Sequence, residues 1–425
     1  MGMGAPVSAI AADYAGLAWP SGLSTVLATG QRRTAIAAAF ANAVASNGTD
    51  IDDFGMYTWG HPGAQVVPTA LALGEELGVS GAQLIAAVVV GYEVAFRAGR
   101  CLNYGPHAAP PSANREYRAC GSWGSAACAA IGAHLRRLTR EQTANALGIA
   151  EYHSPDAPMM RDIASPAMVK HAIGVGALTG IMAAELASRG FTGVPSMLLT
   201  DEYSSWTADV GREYLLPSAI AWKRFSCCAY SHAALLAVEQ IQITRRVPAN
   251  RVRNIRVESY SDAVKLRVGL PGTTEEAQFS MSWPVAVMLL DGQVHPSSVL
   301  PERLADPSVR SLASKVGVVE NPELTELFLL SESNDPRGKE AAIVQVELDD
   351  GEVLNSGVVA FAPFLDPPPS REAVENKFRW VTLGALPQHN AEKIIRMSRD
   401  LSVVQNIGEL VELLTAVKSG SSYEE

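Results

Sequence analysis

The segment TDIDDFGMYTWGHPG at 49–63 places Asp50, Asp52 and Asp53 close to His61 in an otherwise alanine-rich chain. An imidazole with an unperturbed pKa near 6.5 can take or give a proton near neutrality, and a carboxylate beside it can fix which ring nitrogen carries that proton. On those terms His61 is the acid-base candidate. Asp50 would orient it or act on a bound molecule directly. Local rules offer a second account. Asp and Gly are ordinary turn residues, and His-Pro-Gly can start the helix that AQVVPTALALGEELG suggests.

The elements that must position these groups are legible from periodicity. RRTAIAAAFANAVAS, AQVVPTALALGEELG, SGAQLIAAVVVGYEVAFRAGR, SWGSAACAAIGAHLRRL, TREQTANALGIAEY and MVKHAIGVGALTGIMAAELASRG each repeat apolar residues at helical spacing. Thr139 and Gln142 form a capping-box pattern at the start of one of them. Abundant Ala and Gly imply helices packed at close range. Near residue 250 the texture changes: NRVRNIRVESYSDAV and AAIVQVELDDGEVLNSGVVAF alternate like strands, the second around an Asp-Asp-Gly turn. FSMSWPVAVMLLDG and DPSVRSLASKVGVV between them read as helical, and helical periodicity resumes after the proline run of APFLDPPPS. The expected fold is mainly α, a large all-α helical domain from 1–218 and 366–425 with a smaller α+β lid domain, 219–365, inserted.

A chain of 425 residues, 48% hydrophobic and 18% charged, can bury more than one core. A net charge of −10 argues against nucleic acid or an anionic membrane surface as partner, while an anionic small molecule needs only a local cluster of cations. LIAAVVVGYEVAF (84–96) is short and contains Glu93, so it reads as a buried helix and not as a membrane span. Five cysteines, odd in number and two of them adjacent, do not make a disulfide framework. Neither a CxxC pair nor HExxH is present, so no metal site is expected. The first residues, MGMGAPVSAIAADYAGLAWP, lack the basic and apolar regions of a secretion signal and have Pro6 where a myristoylation pattern needs Ser or Thr. A cytoplasmic protein is expected.

In order and spacing, TDIDDFGMYTWGHPG, LGIA, MVKHAIGVGALTGIMAAELASRGFTG, KRFSCCAYSHAAL, AQFSMSWPVAVMLLDGQV and NKF together resemble the MmgE/PrpD family, which includes 2-methylcitrate dehydratase, cis-aconitate decarboxylase and iminodisuccinate epimerase. The resemblance spans roughly residues 20 to 400. It implies a helical domain with an α+β lid, a cofactor-free site at their junction, a small polycarboxylate substrate and a homodimer. Carried over residue by residue, Asp50 and Asp53 match the family's acidic cluster, and His61 matches the histidine before its proline. Lys170 matches the lysine before xxxGxxA. Lys223 opens the K-x-[FY]-x-x-C segment, which puts Cys228 where some decarboxylases have histidine. REYRACG at 115–121 departs from the family's GFH pattern, placing Tyr117 and Arg118 at its Phe and His positions. Phe54 stands where some relatives have threonine.

Such residues suit proton transfer at a carbon next to a carboxylate, which needs a base within hydrogen-bond reach and cations for the enolate-like charge. Lys170, Lys223 and Arg118 would supply those cations, Arg118 in bidentate fashion. A desolvated lysine is an alternative base to His61, and Tyr117 is a candidate second proton donor. Asp53, Cys228 and His153 of YHSPDAP would line the pocket. Each also has a structural account: a cap for His61, a snorkelling stem for Lys170, turn roles for Asp50 and Asp53, packing for Cys228, an ion pair for Arg118 and a proline-stabilised loop for His153. The missing GFH histidine argues against straightforward cis-aconitate decarboxylase or methylcitrate dehydratase activity. The expectation is a cofactor-independent lyase of dehydratase type, abstracting an α-carbon proton from a small di- or tricarboxylate. Alternatives are an isomerase or epimerase, a decarboxylase, or a non-catalytic carboxylate-binding protein.

Overall fold

Small residues set how closely the helices approach. In the computed structural model, which describes residues 2–108, 117–332, 335–364 and 368–415, the described residues up to 188 form the α-helices α1 (Pro6–Ala18), α2 (Ala35–Ser46), α3 (Gly63–Leu77), α4 (Gly81–Tyr104), α5 (Cys120–Leu135), α6 (Arg140–Tyr152), α7 (Met159–Ala164) and α8 (Ile173–Ser188). The chain is mainly α. At the contact of α5 with α8, a Cβ added to Gly180 would lie 2.4 Å from Cys128 Cβ and 2.6 Å from Ser125 O. One on Gly176 would lie 2.8 Å from Gly121 Cα. The two helices therefore touch through backbone.

Local signals act as expected at several ends. Thr139 and Gln142 close a capping box on α6, and Ser80 with Gln83 closes another on α4. The apolar run 84–96 lies within α4, where Leu84, Ala87, Gly91 and Ala95 are buried and Arg97 pairs with Glu93 at 2.5 Å. Other elements differ from the periodicity. MVKHAIGV does not run straight into α8: Lys170, His171 and Ala172 have φ of 47°, 52° and 59°, a left-handed turn that precedes the helix. The second part of DPSVRSLASKVGVV is a strand, because its β-branched residues pair with a sheet. Short antiparallel ribbons, β1 (Ser24–Val26) with β2 (Gln31–Arg33) and β3 (Asp53–Gly55) with β4 (Ile220–Trp222), lie inside the helical half.

The mixed sheet consists of β5 (Val252–Ser259), β6 (Val316–Glu320), β7 (Glu340–Leu348), β8 (Val353–Asn355) and β9 (Val359–Phe361). Its order is β6-β5-β7-β8, with β9 also on β7. β5 and β6 run parallel and the other pairs antiparallel. Buried Ile255, Val257, Val344 and Val346 of the sheet belong to the same continuous core as Ala70 and Ile131 of the helices. The C-terminal helices Arg371–Thr382, Gln388–Arg399 and Gly408–Thr415 follow. This segment returns to the helical half, where Gly81 N donates to Val404 O (2.8 Å) and Ile407 N to Val79 O (3.2 Å). The boundary expected at 365/366 falls at 365–367, outside the described residues.

Glycine in a helix interior normally loses about 1 kcal/mol to alanine. At Gly180 the clash with the α5 backbone outweighs that gain, since overpacking a tight contact costs about 1–3 kcal/mol. Gly180→Ala is therefore expected to lower stability, read as a smaller urea midpoint with an unchanged slope.

Candidate active site

β3 and β4 bring together two segments that are far apart in sequence: Asp53 pairs with Trp222 and Gly55 with Ile220. Lys223 follows β4 directly, and Asp50 precedes β3 with φ 53°. Lys223 Nζ lies 2.7 Å from Asp50 Oδ1 and donates to Asp50 O at 3.1 Å. Ser226 Oγ also donates to Thr49 O. His61 continues the chain, its Nε2 3.3 Å from Asp50 Oδ1. Its Nδ1 lies 2.7 Å from Asp53 O, which can only accept, so Nδ1 carries the proton and Nε2 of the neutral ring is left as the base. The other oxygen of Asp50, Oδ2, is buried with no hydrogen-bond partner among the described residues.

The left-handed turn before α8 contributes a second imidazole. His171 N donates to Asp162 Oδ2 at 2.8 Å and its Nδ1 lies 3.0 Å from the same oxygen. The His171 ring stacks on His61 at 5.8 Å, 18° between planes. Three consecutive left-handed residues, none of them glycine, are strained by about 1–2 kcal/mol each. Asp162 and the Ala172 N to Val169 O bond (2.9 Å) hold the turn in place. Lys170, fully buried beside it, donates to Gln278 Oε1 at 2.7 Å.

Asp50, His61, His171, Lys223 and Cys228 share one cavity with Tyr230 and Glu340. Phe54, Trp59, Met159 and Phe279 supply its apolar wall. The cavity measures about 40 Å³, space for only a few water molecules.

Burial works against the Asp50 charge, but Lys223 above all, with His61 and Lys170, outweighs it and holds this carboxyl well below the usual range. Burial likewise disfavours the Lys223 ammonium, and Asp50 and Asp52 more than restore it. Burial, aided by Lys223, lowers His61 in spite of Asp52 and Asp50. Glu340 is pushed the other way, up to about 7, by burial without a compensating cation. Burial also lifts the Cys228 thiol, to about 12, so it is neutral and not a nucleophile.

The structure thus brings together His61, Asp50, Lys223 and Cys228, with Lys170 buried close behind. Asp53 faces elsewhere: its carboxyl accepts from Gly63 N at 3.1 Å and from Tyr92 OH at 2.9 Å, capping α3. Arg118 is half-exposed and paired with Asp156 at 2.6 Å, where water already satisfies much of its charge. His153 is exposed at the end of α6. Tyr117 is buried against Trp59, one layer behind the cavity wall. His171, Asp162, Tyr230 and Glu340 escaped the sequence reading. His171 had a signal, a histidine beside a family-matched lysine; Glu340 sat unnoticed at the head of an alternating strand.

Asp50, Asp52 and His61 have ligand atoms within 4.8 Å of one another. They fit a metal poorly, because the Lys223 ammonium already occupies Asp50 Oδ1 and His61 Nδ1 is committed to Asp53 O.

With this geometry in view, comparison with known proteins is decisive about ancestry. Residues 1–211 match the MmgE/PrpD N-terminal domain and residues 225–402 the MmgE/PrpD C-terminal domain. The chain belongs to the MmgE/PrpD family. Among curated relatives it is 26% identical to cis-aconitate decarboxylase of Aspergillus terreus, over 94% of this chain and 85% of that protein. It is 29% identical to the human cis-aconitate decarboxylase, over 89% of this chain and 79% of that one. Asp50 and His61 lie in the first matched region, and Lys223 lies in the short segment between the two.

Removing one partner of a buried ion pair leaves the other charge uncompensated, at a loss of about 3–5 kcal/mol. Lys223→Met is expected to destabilise the protein by that order in denaturant titration, and adding Asp50→Asn to restore much of it. Asp53, lifted to about 7 by burial first and Asp52 second, has the opposite linkage to an ionised carboxylate. The folded state holds its proton where the unfolded chain has lost it, so this group removes stability as pH rises from about 4 to 7. Asp53→Asn should flatten that decline in thermal melts taken across the window.

Proposed function

We propose that this MmgE/PrpD protein is a lyase of dehydratase type that removes a proton from the carbon next to a carboxylate of a small di- or tricarboxylate. The observation that carries this reading is the buried Lys223–Asp50–His61 chain opening onto a small cavity. Neutral His61 presents Nε2 as the base, and the proton it takes is stabilised by Asp50 Oδ1 at 3.3 Å. As the C–H bond breaks, its electron pair moves toward the substrate carboxylate. Lys223, with Lys170 behind it, stabilises that developing negative charge in a site largely closed to water. Asp50 Oδ2 is available to accept a substrate hydroxyl hydrogen.

A decarboxylase is the second reading. It is favoured by the apolar wall of Phe54, Trp59 and Phe279, which would disfavour a charged carboxylate more than the carbon dioxide it releases, and by the names of the two relatives. A panel of hydroxylated and unsaturated polycarboxylates, incubated in deuterated water and followed by NMR, separates them. The lyase reading expects deuterium at the α-carbon and interconversion of hydroxy acid and alkene; bicarbonate as the main product selects decarboxylation.

His61→Gln is expected to lower turnover by about 10²- to 10⁴-fold, and undiminished exchange in that variant would remove His61 from the base role. Because His61 is lowered below 6.5, kcat/KM should hold its plateau below pH 6.5 before falling as the ring protonates.

A further inference from the structure

Two carboxyl groups line the cavity, and their surroundings drive them to opposite protonation states. Asp50 is held ionised by Lys223. Glu340, the first residue of β7, is 4% exposed and accepts a hydrogen bond from Tyr260 OH on Oε2 at 2.9 Å. The groups around it are Tyr260 and Asp262, with the buried Tyr230 and Cys228 nearby, and none of these supplies positive charge. Asp262 has its own cation in Lys265, 2.5 Å away. Glu340 is thus fixed by a phenol and unpaired with any cation among these neighbours. Paired carboxyls pushed apart in this manner divide base and acid duties between them. Here the ionised one supports His61, and the neutral one stands on the sheet side of the same cavity.

We propose that Glu340 is the acid that protonates the departing β-hydroxyl while His61 takes the α-proton. The assignment rests on the lyase reading above and specifies it further. The α-C–H bond breaks first, its proton going to His61 Nε2 and its electron pair onto the substrate carboxylate as an enolate; the enolate's pair then forms the new C=C bond. The Cβ–O bond breaks with its pair on oxygen, and that oxygen takes the Glu340 proton and leaves as water. Glu340 is left as carboxylate and is reprotonated from solvent before the next turnover. With Glu340 pushed up to about 7 by burial, the acid form is present at neutral pH and is lost above it.

The test compares wild type with Glu340→Gln on a β-hydroxy dicarboxylate and on its β-chloro analogue, whose chloride leaves without protonation. Gln keeps an oxygen for Tyr260 OH to bond, so the fold of β7 is retained. In the variant, water elimination should fall about 10²- to 10³-fold, while α-deuterium exchange and chloride elimination stay within a few-fold of wild type. The alkaline limb of the wild-type elimination profile, near pH 7, should be absent from the variant. Unchanged water elimination in Glu340→Gln would overturn the acid role and leave the lyase reading standing. An equal loss with both substrates would show a structural effect and also overturn it. If wild type eliminates from neither substrate, the lyase reading falls and takes this assignment with it.

Discussion

Lys223 and Asp50 are sealed from water, with their charges 2.7 Å apart, and the rest of the site is arranged around that contact. An isolated charge at either position would be untenable in such surroundings, so each residue requires the other. Their pairing pulls the segment before β3 against the segment after β4, and the backbone answers with a left-handed Asp50 whose carbonyl also accepts from Lys223. Lys377, from the C-terminal helices, adds a bond to Ile51 O at 3.1 Å. Three distant parts of the chain therefore meet at one short loop. That loop carries His61 two residues ahead of α3, where Asp53 caps the helix from outside.

Close helix packing supplies the second half of the arrangement. Because Gly176 and Gly180 let α8 touch α5 through backbone, the start of α8 is pressed toward the cavity and the left-handed turn of Lys170, His171 and Ala172 lies against it. The turn aims a lysine and a histidine in different directions from adjacent positions: Lys170 toward Gln278, His171 toward Asp162 and the His61 ring. A continuous α-helix through these residues would not give this divergence. The sheet brings Glu340 to the cavity, and the turn Ala229–Ser231 brings Tyr230, so that the lining combines basic groups with a phenol and a second carboxyl group.

Much of this was legible in one dimension. Helical periodicity and capping depend on residues three or four apart, so α2 to α6 and the Thr139 box could be read directly. Alternation located β5 and β7 for the same reason. The resemblance in KRFSCC and MVKHAIG pointed to Lys223 and Lys170. Failures came where a partner was distant in sequence or the backbone left its common conformations. Arg118 and Asp53 had the right chemistry for the site, but Asp156 and the N–H of Gly63 claimed them. His171 was hidden in a run whose periodicity continued through a turn that is not helical.

By itself, then, the sequence determined the inventory: a mainly α chain, a switch to strands near residue 250, and an acid-rich segment holding a histidine that belongs with two lysines. The first two follow from composition and short-range periodicity, which are properties of neighbours along the chain, and the third from the family resemblance of the segments that carry those residues. Only the tertiary structure decided which charges meet and which groups lose water. Asp50 is held ionised because Lys223 arrives from 173 positions away, and Glu340 is pushed up to about 7 by burial because none of its described neighbours brings a cation. Protonation at a buried site is set by desolvation and by charges in space, and neither is written in the order of residues.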